Sequence, residues 1–562
     1  MIIDSREIPE NQVIESDICI IGSGPAGITL ARSLAGLSSR VCLLESGGIS
    51  QDAAVQDLSY GPTLGDPLLP IQATRNRQVG GNSNVWSIKL HRKADRDWEV
   101  GVRYVPFDDV DFEPRDWVPH SGWPISRKDL NPYYEQAQKV AHSGPFAYDA
   151  ESWSNDQVKP VDFDDSSFRS KVFQFGPRRV FHQEYLDDLK AAPNVDIYTY
   201  ATALELDTKG DDHAIQRVHV GTLTGRRYWV KAKVFVLATG GIETARLMLA
   251  SNRHRPAGVG NEHDLVGRFF MDHPLIDIGR LFPASAQVFG RAAFYDKREI
   301  ASDSIHSVMG HIALTKEAMA DQQLLNSAIV LFPRPTHRQT QAILSLKAIV
   351  EDKALQRRSP RHWPQSAKHL LNVAGGFDYV ARSAYLAKKY DQSLLHGFGR
   401  GGWAETPHLH DRFKMFEVLL VTEQAPDPNN RVQLSCDRDP LGRPRAEVHW
   451  QWGQFNMDAA KRTQDLFAEA AEKAGLGHFV SNFDDGQPRL SGPAGMAHHL
   501  GTTRMSASPH QGVVDENCQV HSVSNLYVAS SSVFPTGSYA NPTLTILALT
   551  LRLADHLKTK FS

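Results

Sequence analysis

The sequence predicts an α/β protein in which a Rossmann-like domain is interrupted by an α+β domain built on an antiparallel sheet. Three observations carry this expectation. A glycine turn sits between a short apolar strand and a helix near the N-terminus, a second strand, glycine turn and helix recur around Ala238, and a long middle region alternates strands and turns. The length of 562 residues exceeds what one hydrophobic core comfortably fills. Hydrophobic residues at 41% and charged residues at 22% place the chain among ordinary folded proteins rather than disordered or fibrous ones.

Asp17-Ile18-Cys19-Ile20-Ile21 is short, apolar and rich in β-branched residues, as a fully buried parallel strand should be. Gly22-Ser23-Gly24-Pro25-Ala26-Gly27 follows, then a helix to about Ala35, then a second strand, Val41-Cys42-Leu43-Leu44-Glu45. In this G-x-G-x-x-G pattern Gly22 makes the tight turn, Gly24 lets the backbone approach a pyrophosphate, and Gly27 allows close helix packing. Pro25 and Ala26 open the helix, whose N-terminus favours phosphate. Glu45 lies where a carboxylate accepts hydrogen bonds from ribose hydroxyls and repels a 2′-phosphate. The motif alone does not separate FAD from NAD.

Later, Val234 to Ala238 reads as a strand that runs through Thr239-Gly240-Gly241 into a helix, Ile242 to Ala250. From Pro274 to about Pro488 the strands alternate, for example Arg431 to Leu434 and Ala446 to Trp450, joined by the turn Asp439-Pro440-Leu441-Gly442. Within it, Arg334 to Arg400 carries twelve Lys+Arg against four Asp+Glu and two helical stretches, Gln341 to Leu355 and Ala367 to Lys389. The expectation is that this stretch borders a substrate entrance, although charge runs are usually solvated helix faces. Pro542 to Leu557, interrupted by Arg552 and Asp555, reads as a buried helix. The domains divide accordingly: residues 1–135, 171–273 and 489–562 form the nucleotide-binding domain, and 136–170 with 274–488 form the substrate domain, carrying a basic helical insert at 334–400.

A net charge of −3 gives no whole-chain field for nucleic acid or an anionic surface. Four cysteines, widely spread and without a CxxC pair, argue against a disulfide framework or a thiolate metal site. Met1 to Ser16 lacks a basic start followed by an apolar stretch, so neither a signal nor a membrane span is expected, and a cytoplasmic location follows.

A second glycine loop, Arg77-Gln78-Val79-Gly80-Gly81-Asn82-Ser83-Asn84-Val85-Trp86, is suited to lay backbone N–H groups along a ring system. Near the C-terminus come Ala497-His498-His499-Leu500-Gly501-Thr502-Thr503-Arg504-Met505, then Gly512 to Asp515, Asn525 to Val528, Ser532 to Thr536 and Tyr539-Ala540-Asn541-Pro542-Thr543. With the first glycine turn and the Ala238-Thr239-Gly240-Gly241 turn, these segments resemble, in order, the glucose/methanol/choline (GMC) family of FAD-dependent oxidoreductases. Ala540 to Thr545, Phe112-Glu113-Pro114-Arg115 and Ser121-Gly122-Trp123-Pro124 look most like its pyranose oxidase and bacterial glycoside oxidase branch.

The resemblance implies FAD as cofactor and His498 as the catalytic base, with Asn541 as its partner. That agrees with the residue chemistry, since a neutral imidazole is suited to take a hydroxyl proton and an amide can donate to the forming alkoxide. It places Gly22, Gly24, Pro25, Ala26, Gly27, Glu45, Gly80, Gly81, Asn84, Ala238, Thr239, Ser531, Asn541, Pro542 and Thr543 around the cofactor. The terminal helix N-terminus would face the flavin pyrimidine ring. His499 reads as a packing neighbour. Two positions depart from the family pattern. Val85 stands where covalently flavinylated pyranose oxidases carry His, which implies non-covalent FAD, and Val528-Ala529-Ser530-Ser531 has Ala where many members have Asp. The implied activity is oxidation of a CH–OH group to a carbonyl, a secondary alcohol of a sugar or glycoside, by base-assisted hydride transfer to flavin N5. Oxygen or a quinone-type acceptor would restore the flavin, and a homo-oligomer is compatible. The alternatives are a non-sugar alcohol as substrate, or a non-redox lyase of the same family.

Overall fold

The computed structural model describes residues 1–92, 98–163, 167–208, 213–301, 304–351, 363–390, 393, 395–405, 412–483 and 495–561. Six short strands form a parallel sheet in the order Ile2–Asp4, Val195–Thr199, Val41–Leu44, Ile18–Ile21, Val234–Leu237, Leu526–Val528. Ile18–Ile21 is buried throughout, which is why it carries apolar residues at every position rather than at alternate ones. Its register sets Ile21 beside Leu44 on one side and Leu237 on the other. The chain leaves this strand for Val41–Leu44 and returns later to its opposite edge, so a crevice opens at the carboxyl ends of these three strands. The glycine turn, Glu45 and Ala238 all lie at those ends.

The helix Pro25–Ser33 follows the turn, and Gly240–Ala250 follows the strand Val234–Leu237. Buried Leu544, Leu547, Ala548 and Leu551 repeat at helical spacing in Thr543–Phe561, which packs against Pro25–Ser33 and Arg127–Val140. Its N-terminus is thereby brought back to the crevice.

A nine-stranded antiparallel sheet runs in the order Gly477–Ser481, Leu275–Pro283, Met415–Thr422, Ser327–Arg334, Ile305–Leu314, Phe168–Pro177, Trp98–Tyr104, Ile88–Arg92, with Lys297–Ala301 pairing Ile305–Leu314. The sheet draws on strands from both sides of residue 274. Two smaller sheets complete the fold, one of which joins Arg431–Arg438 and Pro444–Trp450 to Thr63–Gly65.

In the basic insert the structure differs from the sequence expectation. The second helical stretch is two helices, Trp363–Gly375 and Phe377–Tyr390, because Gly375-Gly376 interrupts it and a Cβ at Gly376 would meet the Ala342 methyl at 2.5 Å. The first begins earlier, at His337, where the Thr336 hydroxyl accepts from the Gln339 amide at 3.4 Å. Its expected end at Leu355, and the expected domain boundary between Pro488 and Arg489, lie outside the described residues. Among the described residues no helix is long and apolar enough to cross a membrane.

Candidate active site

A cavity of about 590 Å³ extends from the glycine turn to the start of the terminal helix. Each glycine of the turn has its own physical reason. Gly22 has φ +104°, and a Cβ there would lie 2.5 Å from the Ala238 carbonyl oxygen. At Gly27 a Cβ would lie 1.9 Å from the Gly22 oxygen, so helix and turn can close only on a hydrogen. Gly24 lines the cavity with nothing within 4 Å of its Cβ position, leaving the backbone open to a ligand. Glu45 is tied down by protein donors. One of its oxygens accepts from the Ser23 amide and hydroxyl at 3.1 and 2.6 Å, the other from the Gly47 amide at 2.8 Å. About one of its four lone-pair sites is left, which narrows the expected pair of ribose contacts to one.

The second glycine loop folds onto the first. The Gly80 amide donates to the Ser23 carbonyl at 2.9 Å, and a Cβ on Gly81 would lie 3.0 Å from the Gly24 Cα. Gly81 and Val85 line the cavity, whereas Gly80 and Asn84 stand behind it. Asn84 clamps its own loop, its amide donating to the Val79 and Gly81 carbonyls at 2.9 and 3.0 Å. Pro25, Ala26, Ala238, Thr239, Ser531, Pro542 and Thr543 all reach the cavity. The Ala529 amide donates to the Leu237 carbonyl at 2.8 Å, and Ser531 donates to the His499 carbonyl at 2.7 Å. An open backbone at Gly24, a fixed carboxylate at Glu45 and a helix N-terminus at Thr543 fit an extended dinucleotide with a central pyrophosphate and a planar ring system at its far end.

At the far end His498 and Asn541 meet. The Asn541 amide nitrogen lies 3.3 Å from His498 Nε2, and its oxygen accepts from Arg103 Nε. The Arg103 bond fixes the orientation of the amide, so Asn541 presents a donor and His498 Nε2 must accept. The other side of the ring gives the same answer. His273 Nε2 lies 3.1 Å from the Gly537 carbonyl, which only accepts, so His273 carries its proton on Nε2. Its Nδ1 is then an acceptor, and His498 Nδ1, 2.9 Å away, must be the donor. Two independent constraints place the His498 lone pair on Nε2, beside Asn541.

Burial, followed by the neighbouring His273, Arg103 and His499, pushes the His498 imidazole well below its ordinary basicity. His273 is lowered to about 4, chiefly by burial, so both rings are neutral near pH 7. Asp272 holds this geometry from beneath, one oxygen accepting from the amides of His273, Met496 and His498 at 2.7, 3.0 and 3.0 Å. Burial nonetheless raises Asp272 to about 6. Arg103 is 2% exposed, lies over the Phe398 and Phe173 rings, and has no carboxylate within ion-pair distance among the described residues. Its Nη1 has no partner among the described residues, and burial lowers the guanidinium to about 9.

Residues 426–550, which include His498 and Asn541, match the GMC oxidoreductase family. This segment is a GMC oxidoreductase C-terminal domain. The chain is 27% identical over 374 residues to the fructose dehydrogenase large subunit of Gluconobacter japonicus, covering 65% of this chain and 53% of that subunit, so it spans about half of that relative's length. It is 23% identical to paromamine 6'-oxidase of Streptomyces fradiae, over 96% of this chain and 90% of that protein. Among solved structures, an FAD-dependent oxidoreductase from Chaetomium thermophilum has the same fold, with a TM-score of 0.50 at 16% identity, covering 97% of this chain and 99% of that one.

Around this domain the sequence reading missed His273, Asp272 and Arg103. Asp272-His273-Pro274 was legible only as the start of the middle region, although an acid and a histidine ahead of a proline could have been weighed as a site. Arg103 gave no signal, since it stands in a strand outside every motif named above. His499 is buried, lines the cavity, and packs its ring 5.7 Å from Phe270.

Proposed function

We propose that this chain oxidises the CH–OH group of a sugar or glycoside to a carbonyl, using FAD, with His498 Nε2 as the group that takes the hydroxyl proton. The observation that carries this reading is the fixed tautomer of His498. A neutral ring with its lone pair on Nε2, at the end of the cavity it shares with Asn541, is what a base needs, and Gly537 through His273, and Arg103 through Asn541, both favour it. Asn541 bears a second amide hydrogen that would donate to the substrate oxygen as negative charge develops there. The proton arriving at Nε2 makes an imidazolium between His273 and Asn541, and burial then favours its prompt release.

The glycine turn Gly22 to Gly27 would hold the FAD pyrophosphate, Glu45 a ribose hydroxyl, and Gly81, Ser531, Pro542 and Thr543 the flavin. When bound, FAD supplies the acceptor for the carbinol hydrogen and its electron pair, and oxygen or a quinone-type acceptor restores it. Val85 offers no nucleophile in the second glycine loop, so FAD is held without a covalent bond. The sugar assignment rests on paromamine 6'-oxidase, matched over nearly the whole chain, and on the fructose dehydrogenase subunit.

The test is anaerobic mixing of purified protein with sugars, glycosides and simple alcohols while flavin absorbance is followed. Bleaching by sugars or glycosides is expected. Bleaching by simple alcohols alone would remove the sugar assignment, and substrate turnover without bleaching would favour a non-redox lyase.

A further inference from the structure

The helices His337–Glu351, Trp363–Gly375 and Phe377–Tyr390 pack on one another through a small core of Ala342, Ile343, Tyr379 and Val380. What they leave outside is unusual for a solvated face. Six of the sixteen exposed large apolar side chains among the described residues belong to them: Leu344, Val350, Leu370, Leu371, Phe377 and Tyr385. Leu371, at 73%, and Phe377, at 64%, are among the most exposed of these. Helical spacing gathers them with small residues, Leu370, Leu371 and Ala374 on one helix and Phe377, Ala381 and Tyr385 on the next.

The polar residues among them carry one sign. Arg338, Lys347, Lys368, Arg382, Lys388 and Lys389 are exposed, against Asp378 as the exposed acid among the described side chains. The stretch 334–400 holds a surplus of eight cations in a chain whose net charge is −3, so the remainder of the molecule is acidic.

We propose that this insert is a docking surface for an anionic lipid bilayer, the exposed apolar side chains entering the headgroup region while the cations meet lipid phosphates. Basic amphipathic helices with Leu and aromatic residues on the other face lie in such interfaces, and each Lys or Arg near the surface strengthens attachment. Charge decides between occupants. In a two-fold contact with a second copy the same cations would face one another, whereas an anionic bilayer satisfies cations and apolar groups together. An acidic remainder would also favour an orientation with this insert toward the bilayer. The insert is connected to the cavity: Arg334 donates to the His396 carbonyl at 2.5 Å, and Phe398, two residues on, lines the cavity beside Arg103. Docking would therefore set one wall of the cavity near the membrane.

The experiment is co-sedimentation of the full-length protein with vesicles of phosphatidylcholine alone or with about 30% phosphatidylglycerol. Binding is expected to the anionic vesicles only, and to be lost in about 0.5 M salt. Lys368→Glu and Arg382→Glu should each weaken partitioning by about fivefold or more, and Leu371→Asp with Phe377→Asp should abolish it, while bound flavin is unchanged. No binding to anionic vesicles at low salt overturns the proposal. So does binding that the apolar replacements leave intact. A dimer in sedimentation that Leu371→Asp dissociates would assign this face to a second copy and overturn it as well.

Discussion

The two ends of the cavity are built in different ways. At the glycine turn the chain makes a ligand cradle from backbone: three glycines within six residues, a strand on each side, and one acid at the next strand end. At the proton-handling end no segment is sufficient alone. His498, His273, Arg103 and the segment holding Gly537 and Asn541 come from four separated places, and each residue fixes the next through one hydrogen bond. The first end depends on space, the second on direction.

Replacements that fill space should therefore have the largest effects. Gly27→Val places carbon against the Gly22 oxygen, which backbone cannot yield, and should give protein without bound flavin. Gly24→Ala, with open space around its Cβ, should fold normally and lose flavin affinity only, as flavin absorbance together with thermal unfolding would show. If Gly24→Ala kept full affinity, the turn would not be the pyrophosphate cradle.

Replacements that alter direction come next. Arg103→Met removes the bond that orients Asn541 and should slow alcohol-driven flavin reduction by roughly 10- to 100-fold, the worth of one hydrogen bond to a charged group. Stopped-flow reduction at saturating substrate checks this. A change in substrate affinity alone would make Arg103 a substrate ligand instead. His498 sets the acid limb. Because burial depresses its basicity, the ring stays neutral well below the ordinary imidazole value of about 6.5, and the reductive rate should be level through that region. A protonation limb near 6.5 would mean that the base is solvated. The smallest effect concerns Val85: acid precipitation should release all yellow colour into the supernatant, and colour left in the pellet would demand another attachment residue.

This contrast also explains what the sequence could show. The βαβ unit around Gly22 was legible because strand, turn, helix and acid are contiguous, and the structure adds little beyond the count of free lone pairs on Glu45. The His498 and Asn541 pair was legible through motif resemblance, but its electrostatics were not. The tautomer depends on the Gly537 carbonyl and on His273, which lies 225 positions from His498 and is joined to it only by the fold. Asn84 shows the opposite case, a motif residue whose amide holds its own loop rather than facing the cavity. The Gly375-Gly376 break was visible in the sequence, and apolar periodicity on both sides concealed it.

The central claim is that His498 Nε2, held neutral and aimed by its neighbours, takes the substrate proton. Rapid anaerobic mixing of His498→Ala, Asn541→Ala and His499→Ala with the best substrate tests it directly. His498→Ala should reduce its flavin roughly 10²–10⁴-fold more slowly with FAD content unchanged. Asn541→Ala should fall between, limited by a single hydrogen bond worth about 2.7–4 kcal/mol at most, and His499→Ala should change least. A His499 variant slower than the His498 variant, or a His498 variant that reduces at the parent rate, would contradict the account.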